Sequence, residues 1–282
     1  MPVSYGLIHS RNTMSVRVGE FAGIADTQKT ATTLGLGDNI PPGAAIYIGS
    51  FETDLKDLTA AYTVFPNAGV RKQAYIIERI DDPDHKPIYR AAHLTIPVLD
   101  PGAAWMTTEL MEEVMTRGTA ASSRSLGFKL PAAGKTGTTN DFKDAWFLGF
   151  TSSMTCGVWV GFDRPTTIMA HGYGAALALP VWTQVMNKAA QRYPAEPLQP
   201  TVTLQHATVC SISNAIATSG CVAAGTAYDI DLPVNEIPRG ICHVHGGNPT
   251  VLGQRMEQLG RKVQQAPQSI IESFKHFFGG GR

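Results

Sequence analysis

The sequence predicts an α+β fold, an antiparallel sheet flanked by helices, and three observations predict it. Residues 132–139, 145–151 and 155–162 form three short strand-like runs divided only by the polar breaks 140–143 and 152–154, so they read as consecutive antiparallel strands. Stretches with helical start and stop signals stand on both sides of this triplet. Hydrophobic residues make up 43% of the 282 positions and charged residues 16%, a globular balance that suffices for one sizeable domain plus a tail.

In chain order, Asn12–Ala22 reads as a helix with apolar Met14, Val16, Val18 and Phe21. Asp26 is suited to cap a second helix that ends near Gly35 or Gly37. Residues 39–43 contain Pro41 and Pro42 and read as a loop. Asp54–Phe65 reads as a helix stopped by Pro66 and Gly69, with Thr53 as its cap. Ala74–Asp81 and Pro87–His93 pair as a hairpin over a polar turn. Pro101–Gly118 is a helix whose proline suits the first turn. The strand triplet follows, and then Ala175–Tyr193, a helix in which Pro180 marks the N-terminal turn. Beyond Pro194, Glu196–Pro200 carries two prolines and reads as a linker. The expected organisation is a main domain over 1–194, a cysteine-containing extension over 195–250, and a tail over 251–282 that holds a short helix.

Lys plus Arg equals Asp plus Glu at 23 each, which removes any global electrostatic drive toward nucleic acid or anionic lipid. No run of eighteen apolar residues occurs, so no segment of this chain reads as a membrane span. Three of the 4 cysteines, Cys210, Cys221 and Cys242, fall in the extension, followed by His243 and His245. Three readings stay open there: a Cys210–Cys221 disulfide in an oxidising compartment, free or differently paired thiols, and a zinc site using His243 or His245, against which stands the lack of a Cys-x-x-Cys pair. Cys156 lies in a strand run and reads as a small buried apolar residue. No His-x-x-x-His pair marks a metalloenzyme helix. No residue is assigned as a metal ligand, and no cofactor is implied.

The most informative string is Gly-Lys-Thr-Gly-Thr-Thr-Asn at 134–140. A phosphate-binding loop would need a glycine at position 129, which is Lys129, and Gly127 comes two residues too early. Such a loop must also open a helix, whereas this string leads through a polar turn into the aromatic-rich 145–151 run. On a strand, Lys135 projects from a rigid element, Gly137 lets a peptide-like ligand approach the edge, and the backbone N–H groups can face a developing oxyanion. Near the start of the chain, Ser10 and Asn12 form a Ser-x-Asn element that leads into the first helix.

Ser-x-Asn followed by Lys-Thr-Gly resembles two of the three motifs of penicillin-binding proteins and serine β-lactamases. The likeness extends to Leu55–Val70, to Ile76–Tyr89, and to Val114–Thr119 preceding Gly134–Trp146, an ordered series over about residues 5–190 that resembles the transpeptidase domain of the bifunctional penicillin-binding proteins. The third motif departs from the pattern: no serine here is followed three positions later by lysine, and Thr53 with Lys56 has the spacing but not the nucleophile. The resemblance therefore implies a fold incomplete at its N-terminus, with the Ser-x-x-Lys serine and the first strands upstream of this chain, and a chain inactive by itself. It also implies D,D-transpeptidation: acyl transfer on D-Ala-D-Ala ends of peptidoglycan stem peptides at the extracytoplasmic face of the inner membrane, in a membrane-anchored parent protein, with β-lactams as inhibitors. By the same resemblance Ser10, Asn12 and Lys135 are catalytic, and Thr136, Gly137 and Thr138 bind substrate, with the Thr138 N–H as half of the oxyanion hole. Ser10 Oγ and Lys135 Nζ are expected within hydrogen-bond reach or one water apart. His9 beside Ser10 reads as a bystander. The alternatives are a non-catalytic peptide- or β-lactam-binding module and a β-lactamase-like hydrolase; the latter lacks an identifiable base for deacylation.

Overall fold

A computed structural model describes residues 3–248. The chain divides into two compact units, Met1–Val202 and a second that begins at Thr203. The division falls a little past the proline-bearing stretch that the sequence suggests as the linker. The tail expected over 251–282 lies outside the described residues.

The first unit opens with three helices, α1 (Val3–Ile8), α2 (Asn12–Ala22) and α3 (Ile24–Thr33). Asp26 does not cap α3; it sits in the first turn, and Gly23, with φ 83°, makes the break between α2 and α3. Helix α4 (Leu55–Tyr62) starts at Asp54, whose carboxylate accepts from the Asp57 N–H at 2.8 Å. Asp54, not Thr53, is therefore the cap. A cap side chain serves the N–H two or three residues on, and here it is the Asp54 carboxylate that makes that bond.

Four short strands follow: β1 (Val70–Lys72), β2 (Arg79–Asp81), β3 (Pro87–Arg90) and β4 (Thr95–Pro97). β2 and β3 form the expected hairpin but only at its inner end, and β1 pairs with β4 outside it. Helix α5 (Pro101–Thr116) begins with Pro101 at its first position and with the Asp100 carboxylate accepting from Gly102 N and Ala103 N. Its buried residues Ala104, Thr108, Met111 and Met115 recur every three or four positions along one face.

The central sheet is β5 (Ala133–Thr138), β6 (Asp144–Phe150) and β7 (Thr155–Gly161), antiparallel in the order β5-β6-β7. Helix α6 (Gly174–Ala189) lies across it. Its Trp182 is fully buried between Phe128 and Phe147, both with ring centroids at 4.9 Å, and its indole N–H donates to the Cys156 carbonyl at 3.1 Å. Gly149 makes that seat: a Cβ there would lie 2.8 Å from the indole. Pro180 stands in the body of α6 rather than marking its N-terminal turn. The carbonyl it leaves without a helical donor belongs to Ala176, on the exposed face, where water can serve it.

The second unit is built on β8 (Leu204–Cys210) paired antiparallel with β9 (Ala227–Pro233), joined through the five-residue helix α7 (Ser219–Ala223). Its apolar core is small: Ala207, Val209, Ile216 and Ile237 are buried, with Ile230 and Leu232 against them. The Cys210–Cys221 disulfide that the sequence allows is not formed. Both thiols are free, as are Cys242 and the half-buried Cys156.

Candidate functional site

Ser10 is held by the end of a helix rather than the start of one. Arg11 N donates to Gly6 O at 2.8 Å and Ser10 N to Leu7 O at 3.2 Å, the two bonds that close α1 in a Schellman turn. Ser10 occupies the left-handed position of that turn, with φ 54°, where glycine is the usual occupant. The residue flanking α2 is Arg11, which makes no side-chain cap, so a capping role does not account for Ser10. The turn is pinned from beneath. Ile8 is fully buried, and its carbonyl accepts from Thr119 N at 3.3 Å. Gly118 permits this crossing, since a Cβ there would stand 2.5 Å from the Ile8 oxygen.

Lys135 comes to the same place from β5, opposite Leu148 on β6. Its Nζ donates to Ser10 Oγ at 2.8 Å and to the Thr136 carbonyl at 3.0 Å. Burial works against its charge and brings its pKa down from 10.5 to about 8. An ammonium has no acceptor, so while Lys135 is charged the Ser10 oxygen receives and the serine's own hydrogen is left for another partner. Thr136 Oγ1 lies 2.7 Å from Thr119 Oγ1. The 118–119 turn thus holds both halves of the site: its backbone grips the end of α1 and its hydroxyl grips β5.

The two remaining β5 positions are fixed by α6. Thr138 Oγ1 accepts from Gly174 N, the first residue of α6, at 3.0 Å. A Cβ on Gly174 would fall 2.5 Å from the Gly137 carbonyl oxygen and 2.3 Å from that of Trp146, so only glycine lets the helix end approach this closely. Gly137 sits opposite Trp146, and a Cβ there would meet the Trp146 Cβ at 3.1 Å, so a side chain at this position would crowd the sheet itself. Thr139 N donates to Asp144 O at 3.1 Å, which makes Thr139 and Asp144 a hydrogen-bonded pair. Because the pattern alternates along an antiparallel ladder, the N–H groups of Thr138 and Thr136 face away from β6, toward the edge of β5 that no described strand occupies. Asp144 also braces the β5–β6 connection, accepting from Thr139 Oγ1 at 3.0 Å and from Trp159 Nε1 at 2.9 Å.

The structure thus brings Ser10, Lys135 and Thr136 together and sets Gly137 and Thr138 next to them on the same strand. Asn12 is the first residue of α2, two positions past Ser10, and its side chain is exposed with no hydrogen bond to another described residue. His9 turns away and packs its ring on Tyr5, with centroids 4.2 Å apart. Sequence reasoning passed over Gly118, Thr119 and Gly174. The first two lie inside the Val114–Thr119 string that carried the resemblance, but nothing in one sequence ties position 119 to position 136.

A family model described as the penicillin binding protein transpeptidase domain matches residues 1–186. The chain is 32% identical over 240 residues to penicillin-binding protein 1A of Rickettsia bellii, covering 77% of this chain and 30% of that protein. To penicillin-binding protein 1A of Neisseria lactamica it is 34% identical over 195 residues, covering 67% of this chain and 24% of that protein. Among solved structures, penicillin-binding protein 1A from Haemophilus influenzae has the same fold, with a TM-score of 0.73 at 21% identity, covering 86% of this chain and 41% of that one. The chain spans 24–30% of the length of these curated relatives.

Proposed function

Since this chain belongs to the penicillin-binding protein transpeptidase-domain family, we propose that it supplies the Ser-x-Asn and Lys-Thr-Gly walls of a peptidoglycan D,D-transpeptidase site on the extracytoplasmic side of the membrane. The nucleophilic serine is supplied from outside these 282 residues, none of which forms a Ser-x-x-Lys element. That serine attacks the carbonyl of the penultimate D-Ala. The peptide C–N bond breaks, D-Ala leaves, and the amine of a second stem peptide then takes the acyl group from the serine.

Ser10 passes its hydroxyl proton to the departing nitrogen, and Lys135 Nζ, already donating to Ser10 Oγ, restores it. The Lys135 charge and the hydroxyls of Thr136 and Thr138 hold the terminal carboxylate of the donor peptide. The Thr138 N–H, aimed at the open edge, contributes to the oxyanion hole. Asn12, exposed two residues past Ser10, contacts the acyl side of the substrate. A β-lactam presents the same carboxylate and acyl carbon and is held in the same way.

The observation that carries this reading is the 2.8 Å contact between Lys135 Nζ and Ser10 Oγ, formed by groups 125 positions apart in the chain. Intact-mass spectrometry after exposure to benzylpenicillin tests it. The chain alone is expected to keep its mass, whereas the same chain joined to its natural upstream sequence gains one penicilloyl group. In that longer protein Ser10→Ala and Lys135→Ala each slow acylation by at least about a hundredfold. Stable acylation of the chain alone would place the nucleophile here and overturn this division of labour.

A further inference from the structure

The second unit gathers its three cysteines and one histidine around a single point. Cys210 ends β8, Cys221 lies in α7, and Cys242 and His245 stand in the segment after β9. Their ligand atoms all lie within 4.8 Å of one another, and the three sulfurs are buried. His245 Nδ1 is 3.5 Å from the Cys210 sulfur, 3.6 Å from that of Cys221 and 3.5 Å from that of Cys242. A ring N–H can donate well to one sulfur only, so equal distances to three are not the signature of a hydrogen bond. They match the nitrogen–sulfur edges of a tetrahedral site: metal–sulfur bonds of about 2.3 Å and a metal–nitrogen bond of about 2.0–2.1 Å give N···S edges of about 3.5–3.6 Å.

The Cys210 sulfur lies 3.8 Å from Thr226 Oγ1. Thr218 N donates to the Cys221 sulfur at 3.3 Å. The end of β8 and the strand bridge between Ile216 and Ile241 deliver one ligand, Cys210, and a chelating Cys-x-x-His pair, Cys242 and His245, to one centre.

We propose that Cys210, Cys221, Cys242 and His245 form a closed structural site for one zinc ion. Soft thiolates with one imidazole in tetrahedral array select zinc over harder divalent cations, and four protein ligands leave no position open for a reactant. The unit needs such a centre. Its buried apolar residues are few and mostly small, and the cysteine cluster, with Ala217, forms its second core. His243 is exposed and outside the cluster, so of the two histidines that follow Cys242 only His245 serves.

The test uses the full chain, purified under reducing conditions without a polyhistidine tag. Elemental analysis is expected to find about one zinc per chain. Cys242→Ser and His245→Ala should each lower that content at least about fivefold, and His243→Ala should leave it unchanged. In case those variants fold poorly, two measurements use the unaltered protein. Cobalt(II) exchanged into the site should give the intense visible absorption of a tetrahedral thiolate complex, and a chelator should expose three further thiols to a disulfide reagent. Zinc-free chain whose Cys210 and Cys221 are joined by a disulfide in non-reducing peptide mapping, or zinc retained by both Cys242→Ser and His245→Ala, would overturn the proposal.

Discussion

Lys135 keeps its ammonium in a place that opposes it, and the consequence for stability has a definite sign. Its pKa is about 8 in the folded chain against 10.5 ordinarily, so between those values the unfolded chain binds the extra proton and stability rises with pH. Below pH 8 the buried charge is a net cost. Lys135→Met is therefore expected to raise stability at pH 7 by about 1–3 kcal/mol, with the gain fading as pH approaches 10.5; urea unfolding at a series of pH values measures it, and a gain independent of pH would contradict the assignment. Ser10 makes the complementary case. A left-handed residue with a Cβ is strained, so Ser10→Gly should be more stable than Ser10→Ala by about 1 kcal/mol in the same measurement while lacking the hydroxyl. The identities of both residues were legible because a motif names them. Their meeting was legible only as an implication of family, because what joins them is the Gly118–Thr119 crossing, and neither residue has a pattern that betrays a contact 17 positions away between Thr119 and Thr136.

At the level of elements, periodicity and punctuation were good guides wherever the local sequence decides the outcome. The bounds of α2 and the three strands of the central sheet follow from polar breaks on either side of apolar runs. Helix ends were harder. Thr53 and Asp54 are both good caps, and the choice between them depends on which residue first turns helical. Asp54→Ala should cost about 1 kcal/mol and Thr53→Ala close to nothing in thermal unfolding. Pro180 misled for a related reason: a proline in a helix is tolerable when the orphaned carbonyl meets solvent, and sequence alone does not say which face that is. The start of α6 bears on the site through packing. Gly174→Ala would drive a methyl group into two carbonyl oxygens, so it should destabilise the domain by about 2 kcal/mol or more. In the protein extended by its upstream sequence it should slow β-lactam acylation by displacing Thr138, and an unchanged rate would show that α6 does not position β5.

On the scale of the whole molecule, each of the two units has its own core, and their chemistries differ. The first rests on large apolar side chains around Trp182 and the second on cysteines beside a few aliphatic residues. Calorimetry is expected to resolve two transitions, with a zinc chelator lowering only the one that a chain ending at Val202 lacks; a single transition moved as a whole would mean the units melt together. The sequence revealed a change of character after Pro194 and left a zinc site with His243 or His245 among three open readings, but the convergence of residues spread over positions 210–245 has no periodic signal that would choose between them. The central sheet carries a further consequence. Among the described residues β5 and β7 each have β6 as their only neighbour. Along the β5 margin the outward N–H groups of Thr136 and Thr138 stand ready to bond an extended backbone laid beside them, so a peptide held there would run as a fourth strand.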